Sequence, residues 1–225
     1  MRRRSTYRGG LRENKSRVAG IILSHGHADA IGALPYLLEK VKVPVFGSHL
    51  TIELAKLVVK NYAATKKFND FHVINAKSEI DFGDSVISFF KTTHSIPESL
   101  GIVVKTDEGN IVYTGDFKFD LTPVGTNADY QKMAFIGVTK PDLLMSDSTN
   151  SGVEDFSISE RKVANEIQDI MRKTKQRLIV ATFASNVHRV AQIIEAATKF
   201  GRKVIVFGRS MENVVDIGRK MGTIK

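Results

Sequence analysis

Cysteine is absent from all 225 residues. That excludes disulfides and thiolate metal sites, and it fits a reducing compartment, with the cytoplasm as the default location. No apolar run is long enough to span a membrane, so no membrane partner is expected. The N-terminus is basic but has no apolar stretch behind it, which excludes a secretory signal of the usual kind. No internal repeat or low-complexity tract occurs. Acidic residues are in deficit, 24 against 33 Lys and Arg, for a formal charge of +9. Such an excess favours a polyanionic partner, nucleic acid foremost, although a solvated basic surface gives the same number. Seven of the basic residues lie between Arg2 and Arg17 against the single acid Glu13, so residues 1–17 read as a basic disordered arm.

What is present is a 42% hydrophobic composition, enough for one or two buried cores. From Val18 onward short apolar runs alternate with longer amphipathic segments, the pattern of an α/β fold. A buried strand is expected at Val18–Ser24, a helix over 31–40, a strand at Val45–Gly47, a helix over 49–62 and a strand over 71–74. Residues 78–113 are rich in β-formers broken by turns and predict antiparallel strands, with a hairpin at 107–110. After a helix near 129–136 and a strand at 143–145, the pattern becomes regular: helix 157–173, strand 178–182, helix 186–199, strand 204–207, helix 211–221. This last part predicts a parallel, doubly wound arrangement, with a domain boundary near residue 152.

The chemistry is concentrated in Ser24-His25-Gly26-His27-Ala28-Asp29-Ala30. Imidazoles and a carboxylate at alternate positions of an extended backbone point to one side and converge, which is how a metal is gripped. Nitrogen and oxygen donors together suit zinc, manganese or iron. Asp29 also stands where it can cap the following helix. His94 and Asp116 each follow a predicted strand, on loops where sites are usually assembled. His49 and His72 read as structural.

Six strings in order, His25-Gly26-His27-Ala28-Asp29, Thr93-His94-Ser95-Ile96-Pro97-Glu98-Ser99, Thr114-Gly115-Asp116-Phe117-Lys118-Phe119-Asp120, Ser146-Asp147-Ser148-Thr149-Asn150, Ala184-Ser185-Asn186 and Gly208-Arg209-Ser210-Met211-Glu212, resemble the bacterial ribonuclease J family. The resemblance covers roughly residues 18–225. It implies a partial metallo-β-lactamase domain (αββα sandwich) over 18–152, followed by part of a doubly wound β-CASP domain over 153–225. It further implies that His25, His27 and His94 hold one metal, that Asp116 bridges to a second metal also bound by Asp29, and that Asp147 orients a ligand histidine. Asp29, Asp116 and Asp147 are thereby the candidate catalytic carboxylates. Zn2+ is the expected cofactor, as one or two ions, with Mn2+ or Mg2+ as substitutes.

The implied activity is hydrolysis of RNA phosphodiesters in RNA processing or decay, with exonuclease and endonuclease modes both open. Ser185, Asn186, Arg209 and Ser210 are candidate RNA contacts, with helix capping as the other reading of Ser185 and Ser210. The family motif continues to a further histidine where this chain has Ala30. A methyl group cannot ligate, so the second metal is expected to be weak, and the activity weakened with it. The same departure suits a catalytically silent RNA-binding or scaffold partner of an active ribonuclease J paralogue, in a homo- or hetero-oligomer. A small-molecule metallo-hydrolase is the third reading. Family members carry further strands before Val18 and a long continuation after Lys225, so the chain reads as a fragment of marginal stability on its own.

Overall fold

The computed structural model describes residues 14–224, and most of the basic arm read over 1–17 lies outside them; its last residues, Lys15–Arg17, form an exposed 3₁₀ turn. The expected α/β class is found. Three parallel strands, β1 (Ile21–Ile22), β2 (Val45–Gly47) and β3 (Phe71–Val73), form one sheet in the order β1-β2-β3. Between them run the short helices α1 (Ala28–Ile31) and α2 (Leu34–Leu38) and the longer α3 (His49–Lys60).

A second sheet takes its strands in sequence order: β4 (Glu79–Asp81), β5 (Ser85–Lys91), β6 (Leu100–Thr106), β7 (Gly109–Tyr113) and β8 (Leu143–Met145). The first four are antiparallel, as the alternating β-formers predict. β8 pairs parallel to β7, because helix α4 (Tyr130–Val138) supplies the crossover that a parallel pair needs.

Period-two alternation sorts the side chains into layers. Ile87, Phe89, Leu100 and Ile102 point from the second sheet toward Ile22 and Phe46 of the first, which makes the core between the sheets. Phe90, Val103 and Val112 point the other way, against Met133 and Ile136 of α4. On the far face of the first sheet, Leu23 and Val45 pack with Leu34 and Leu38 of α2 and with Leu50, Ile52 and Val59 of α3. The order is helix, sheet, sheet, helix, the sandwich that the sequence strings imply.

Helices α5 (Glu160–Lys173), α6 (Val187–Lys199) and α7 (Arg209–Lys220) follow. Val187 and Val190 of α6 and Val214 and Ile217 of α7 join the same apolar cluster as α2 and α3. Asp120 anchors the start of α5, where its carboxylate accepts from the Glu160 backbone N–H at 2.8 Å.

Four local expectations change. The strand read over 18–24 shrinks to Ile21–Ile22, because β1 is the edge of its sheet and pairs only with β2, at Ile21↔Val45 and Ile22↔Phe46. The helix read over 31–40 splits at Gly32-Ala33, with Pro35 opening α2, where a missing N–H costs nothing. The first turn of α1 is entered through His27, not capped by Asp29. Segments 178–182 and 204–207 are not strands among the described residues; Ile179, Ile205 and Phe207 are exposed. β-forming side chains become strands only where a neighbouring strand and a packed face receive them. No helix among the described residues is long and apolar enough to cross a membrane.

Candidate metal centre

The loops that follow β1, β5 and β7 converge at one corner of the sandwich. Leu100 at the start of β6 donates its N–H to the Ser24 carbonyl at 2.9 Å, which ties the first loop to the second sheet. Thr93 and Lys118 clamp the other two loops together: the Lys118 N–H donates to the Thr93 carbonyl at 2.9 Å, and the Thr93 hydroxyl donates to the Lys118 carbonyl. Gly115 makes the last turn into Asp116. Its φ of +60° favours glycine, and a Cβ there would stand 3.0 Å from the Ser24 Cβ.

Four side chains meet in this corner: His25, His27, His94 and Asp116, whose donor atoms all lie within 4.8 Å of one another. The His94 Nε2 is 3.0 Å from the His27 Nδ1. The Asp116 Oδ2 is 3.7 Å from the Nε2 of both His25 and His94. Donors held roughly 2.0–2.1 Å from one tetrahedral ion stand about 3.3 Å apart, so these separations fit a single cation with little movement.

His25 is almost fully buried, and its Nε2 has no hydrogen-bond partner while its Nδ1 meets the Ser24 hydroxyl at 3.0 Å. An orphaned buried nitrogen costs about 1–3 kcal/mol unless something takes it up, and this one faces the other three donors. A cation at that point resolves the deficit. The three nitrogens and one carboxylate oxygen are the donor chemistry that zinc accepts.

The electrostatics favour the neutral, ligand-ready forms of His25 and His94. Burial, reinforced by the neighbouring histidines, pushes the His94 pKa down to about 4. His25 is lowered for the same reasons, burial first and His27 next. Burial raises the Asp116 carboxyl, helped by Asp29 and Asp147 and opposed by His25 and His27, so its charge awaits a cationic partner.

The structure does not bring every expected residue into the cluster. Asp29 is exposed in the first turn of α1, and its charge acts on His25 and His94 from there. The alternation of an extended chain stops at His27, the last extended residue, so Asp29 falls in the helix and outside the four-residue group. Asp147 lies just after β8, and its carboxylate accepts from the Thr149 N–H at 2.8 Å and hydroxyl at 2.7 Å rather than from a histidine. Those bonds outweigh burial and hold it below the usual carboxylate range. Ala30 packs against the apolar cluster under α3.

Of the four candidate RNA contacts, Asn186 caps α6 by accepting the Arg189 N–H at 3.0 Å. Ser185 is half-buried, and its carbonyl accepts from the His27 Nε2 at 3.1 Å. Arg209 and Ser210 are exposed in the first turn of α7, where Gly208 is the cap residue. Neither serine caps a helix. The sequence reading missed Ser24 and the Ser185 carbonyl as the groups that orient His25 and His27. A side-chain pattern carries no signal for a backbone oxygen.

Residues 6–143 match the metallo-beta-lactamase superfamily, and residues 175–225 match the beta-CASP domain of ribonuclease J. The chain is 54% identical over 204 residues to Ribonuclease J 2 of Streptococcus pyogenes serotype M3, covering 90% of this chain and 37% of that protein. It is 43% identical to Ribonuclease J2 of Bacillus subtilis, over 96% of this chain and 39% of the relative. Ribonuclease J 1 of the same streptococcus is also 43% identical, over 95% of this chain and 38% of its own length. The chain thus spans under two fifths of the length of these relatives. Among solved structures, a protein of unknown function from Enterococcus faecalis V583 shares the fold with a TM-score of 0.66 at 19% identity, over 92% of this chain and 49% of that one. By the superfamily match over most of its length, the chain belongs to the metallo-β-lactamase superfamily, and over the residues they share it is similar to the ribonuclease J proteins.

Proposed function

We propose that this chain carries the metal-binding part of a hydrolase of RNA phosphodiesters, with residues up to about 152 acting as the metallo-β-lactamase part and 153–225 as part of a β-CASP domain. The observation that carries the reading is the convergence of His25, His27, His94 and Asp116 around the unpaired buried Nε2 of His25. Zn2+ is the proposed cofactor, and it supplies Lewis acidity toward a phosphoryl oxygen and an activated water near neutral pH. His25, His27 and His94 bring one ring nitrogen each toward one point, where they would ligate the ion. Asp116 contributes the compensating negative charge. Asp29, exposed in the first turn of α1, would accept a proton or hold a second, weaker cation, and Asp147 biases the histidines through its charge.

The basic excess draws the polyanion in, with Ser185, Asn186, Arg209 and Ser210 as contacts on the side of α6 and α7. The proposed setting is the cytoplasm, with RNA as partner and a ribonuclease J paralogue as companion subunit. Ala30 supports a second reading, a subunit that binds RNA without cutting it, because an apolar residue packed against the core offers no ligand for a second ion.

The test is cleavage of a labelled single-stranded RNA by the purified chain with zinc, manganese or chelator. Metal-dependent cleavage that disappears in His27→Ala supports the hydrolase. Salt-sensitive binding with no cleavage in any metal supports the silent subunit, and absence of both binding and cleavage removes the two readings together.

A further inference from the structure

His27 is held from outside the sandwich. Its Nε2 lies 3.1 Å from the Ser185 carbonyl, which belongs to the segment leading into α6, and 3.4 Å from the Ser95 hydroxyl. A hydroxyl can donate or accept, but a carbonyl can only accept. The Nε2 therefore carries the proton, and the lone pair falls on Nδ1, the atom that faces the His94 Nε2 at 3.0 Å.

The segment that supplies this carbonyl is itself fixed. Asn186 caps α6 through Arg189, Val187 is fully buried in the apolar cluster, and the His188 N–H donates to the Ser95 carbonyl at 3.4 Å. We infer that the Ser185 carbonyl is a positioning group for the metal ligand His27, fixing the tautomer that presents Nδ1 and making metal affinity depend on how the start of α6 docks against the 94–99 loop. The inference rests on the metal-centre reading above. Its chemistry is the usual division of labour in metal sites, in which one imidazole nitrogen binds and the other is oriented by an acceptor. Here the acceptor comes from the part of the chain that matches the β-CASP domain, so the two parts share one centre.

Two readouts on the full chain test it. Long-range 15N–1H NMR of the metal-free protein reports which His27 nitrogen bears the proton, and cobalt titration followed by visible absorption reports metal affinity. In the wild type the proton sits on Nε2. Ser95→Ala keeps it there, because the carbonyl remains. Asn186→Ala, which frays the first turn of α6, admits the Nδ1–H form and weakens cobalt binding by about tenfold, whereas Asn186→Asp, which still caps, restores both. A His27 proton on Nδ1 in the wild type, or unchanged tautomer and affinity in Asn186→Ala, overturns the inference. A wild type that takes up no cobalt overturns the metal-centre reading instead, and the tautomer measurement still decides the role of Ser185.

Discussion

His27 and His94 lie 67 positions apart in the chain, yet the Nδ1 of one stands 3.0 Å from the Nε2 of the other. No local rule of chain geometry produces that contact. It follows from the antiparallel register that returns β5, and with it the loop carrying His94, to the end of the first sheet, where Ser24 and Leu100 join the two by a backbone hydrogen bond.

Zinc stabilises the fold if this corner is a metal centre. Ligand at about a hundredfold over its dissociation constant adds roughly 2.7 kcal/mol. For a chain of this size that raises the melting temperature by roughly 5–10 °C. Differential scanning calorimetry with zinc and with chelator measures the shift, and His94→Ala is expected to abolish it while leaving a cooperative transition.

Gly115→Ala is expected to cost about 2 kcal/mol. The residue sits at a φ of +60°, and the added methyl would press on Ser24, whose hydroxyl orients His25. The damage should therefore reach the site: denaturant unfolding records the lost stability, and cobalt titration records weaker binding. Equal metal affinity in the variant would mean that the turn does not aim Asp116.

Glu160 links the sandwich to the later helices, with the Lys118 Nζ at 3.1 Å and the Arg189 Nη2 at 2.9 Å. Burial raises its carboxyl, but the bonds from Arg189 and Lys118 prevail and hold it below the ordinary value. A carboxyl depressed in the folded state contributes stability that is present above its unfolded pKa and is lost as pH falls through the folded one. Glu160→Gln should thus lower stability by about 2 kcal/mol at pH 7, and the gap should close as the pH falls below about 4.5. Melting curves of both proteins from pH 7 to pH 3 measure this, and a gap independent of pH would contradict it.

RNA affinity is expected to fall steeply with salt, given a formal charge of +9. Arg209, exposed at the start of α7, is a proposed phosphate contact. Arg209→Ala should weaken binding evenly across RNA sequences and reduce the slope of log affinity against log salt by about one. Fluorescence anisotropy at several salt concentrations decides between that and an unchanged slope.

The cluster was legible in the sequence because its residues follow β-rich runs that the structure keeps as strands. His25, His94 and Asp116 sit at the ends of β1, β5 and β7, where polar residues interrupting an apolar pattern have no place in a core. The extended alternation does not run past His27: the backbone turns helical at Ala28, and Asp29 is exposed in that first turn, outside the four-residue group. The segments 178–182 and 204–207 misled in the opposite way. Their composition is that of strands, but strand formation is settled by neighbours, which composition does not encode. The Ser185 carbonyl was beyond reach, since every residue carries that atom and only the docking of α6 singles this one out.

As one metal centre, His25, His27, His94 and Asp116 would hold a zinc ion that survives removal of excess metal. Elemental analysis of the purified chain after equilibration with zinc and removal of excess tests it most directly, with His27→Ala as the comparison. One firmly held zinc ion per chain, lost in the variant, is the expected result. No retained zinc in the wild type, or the same amount in both proteins, would contradict it.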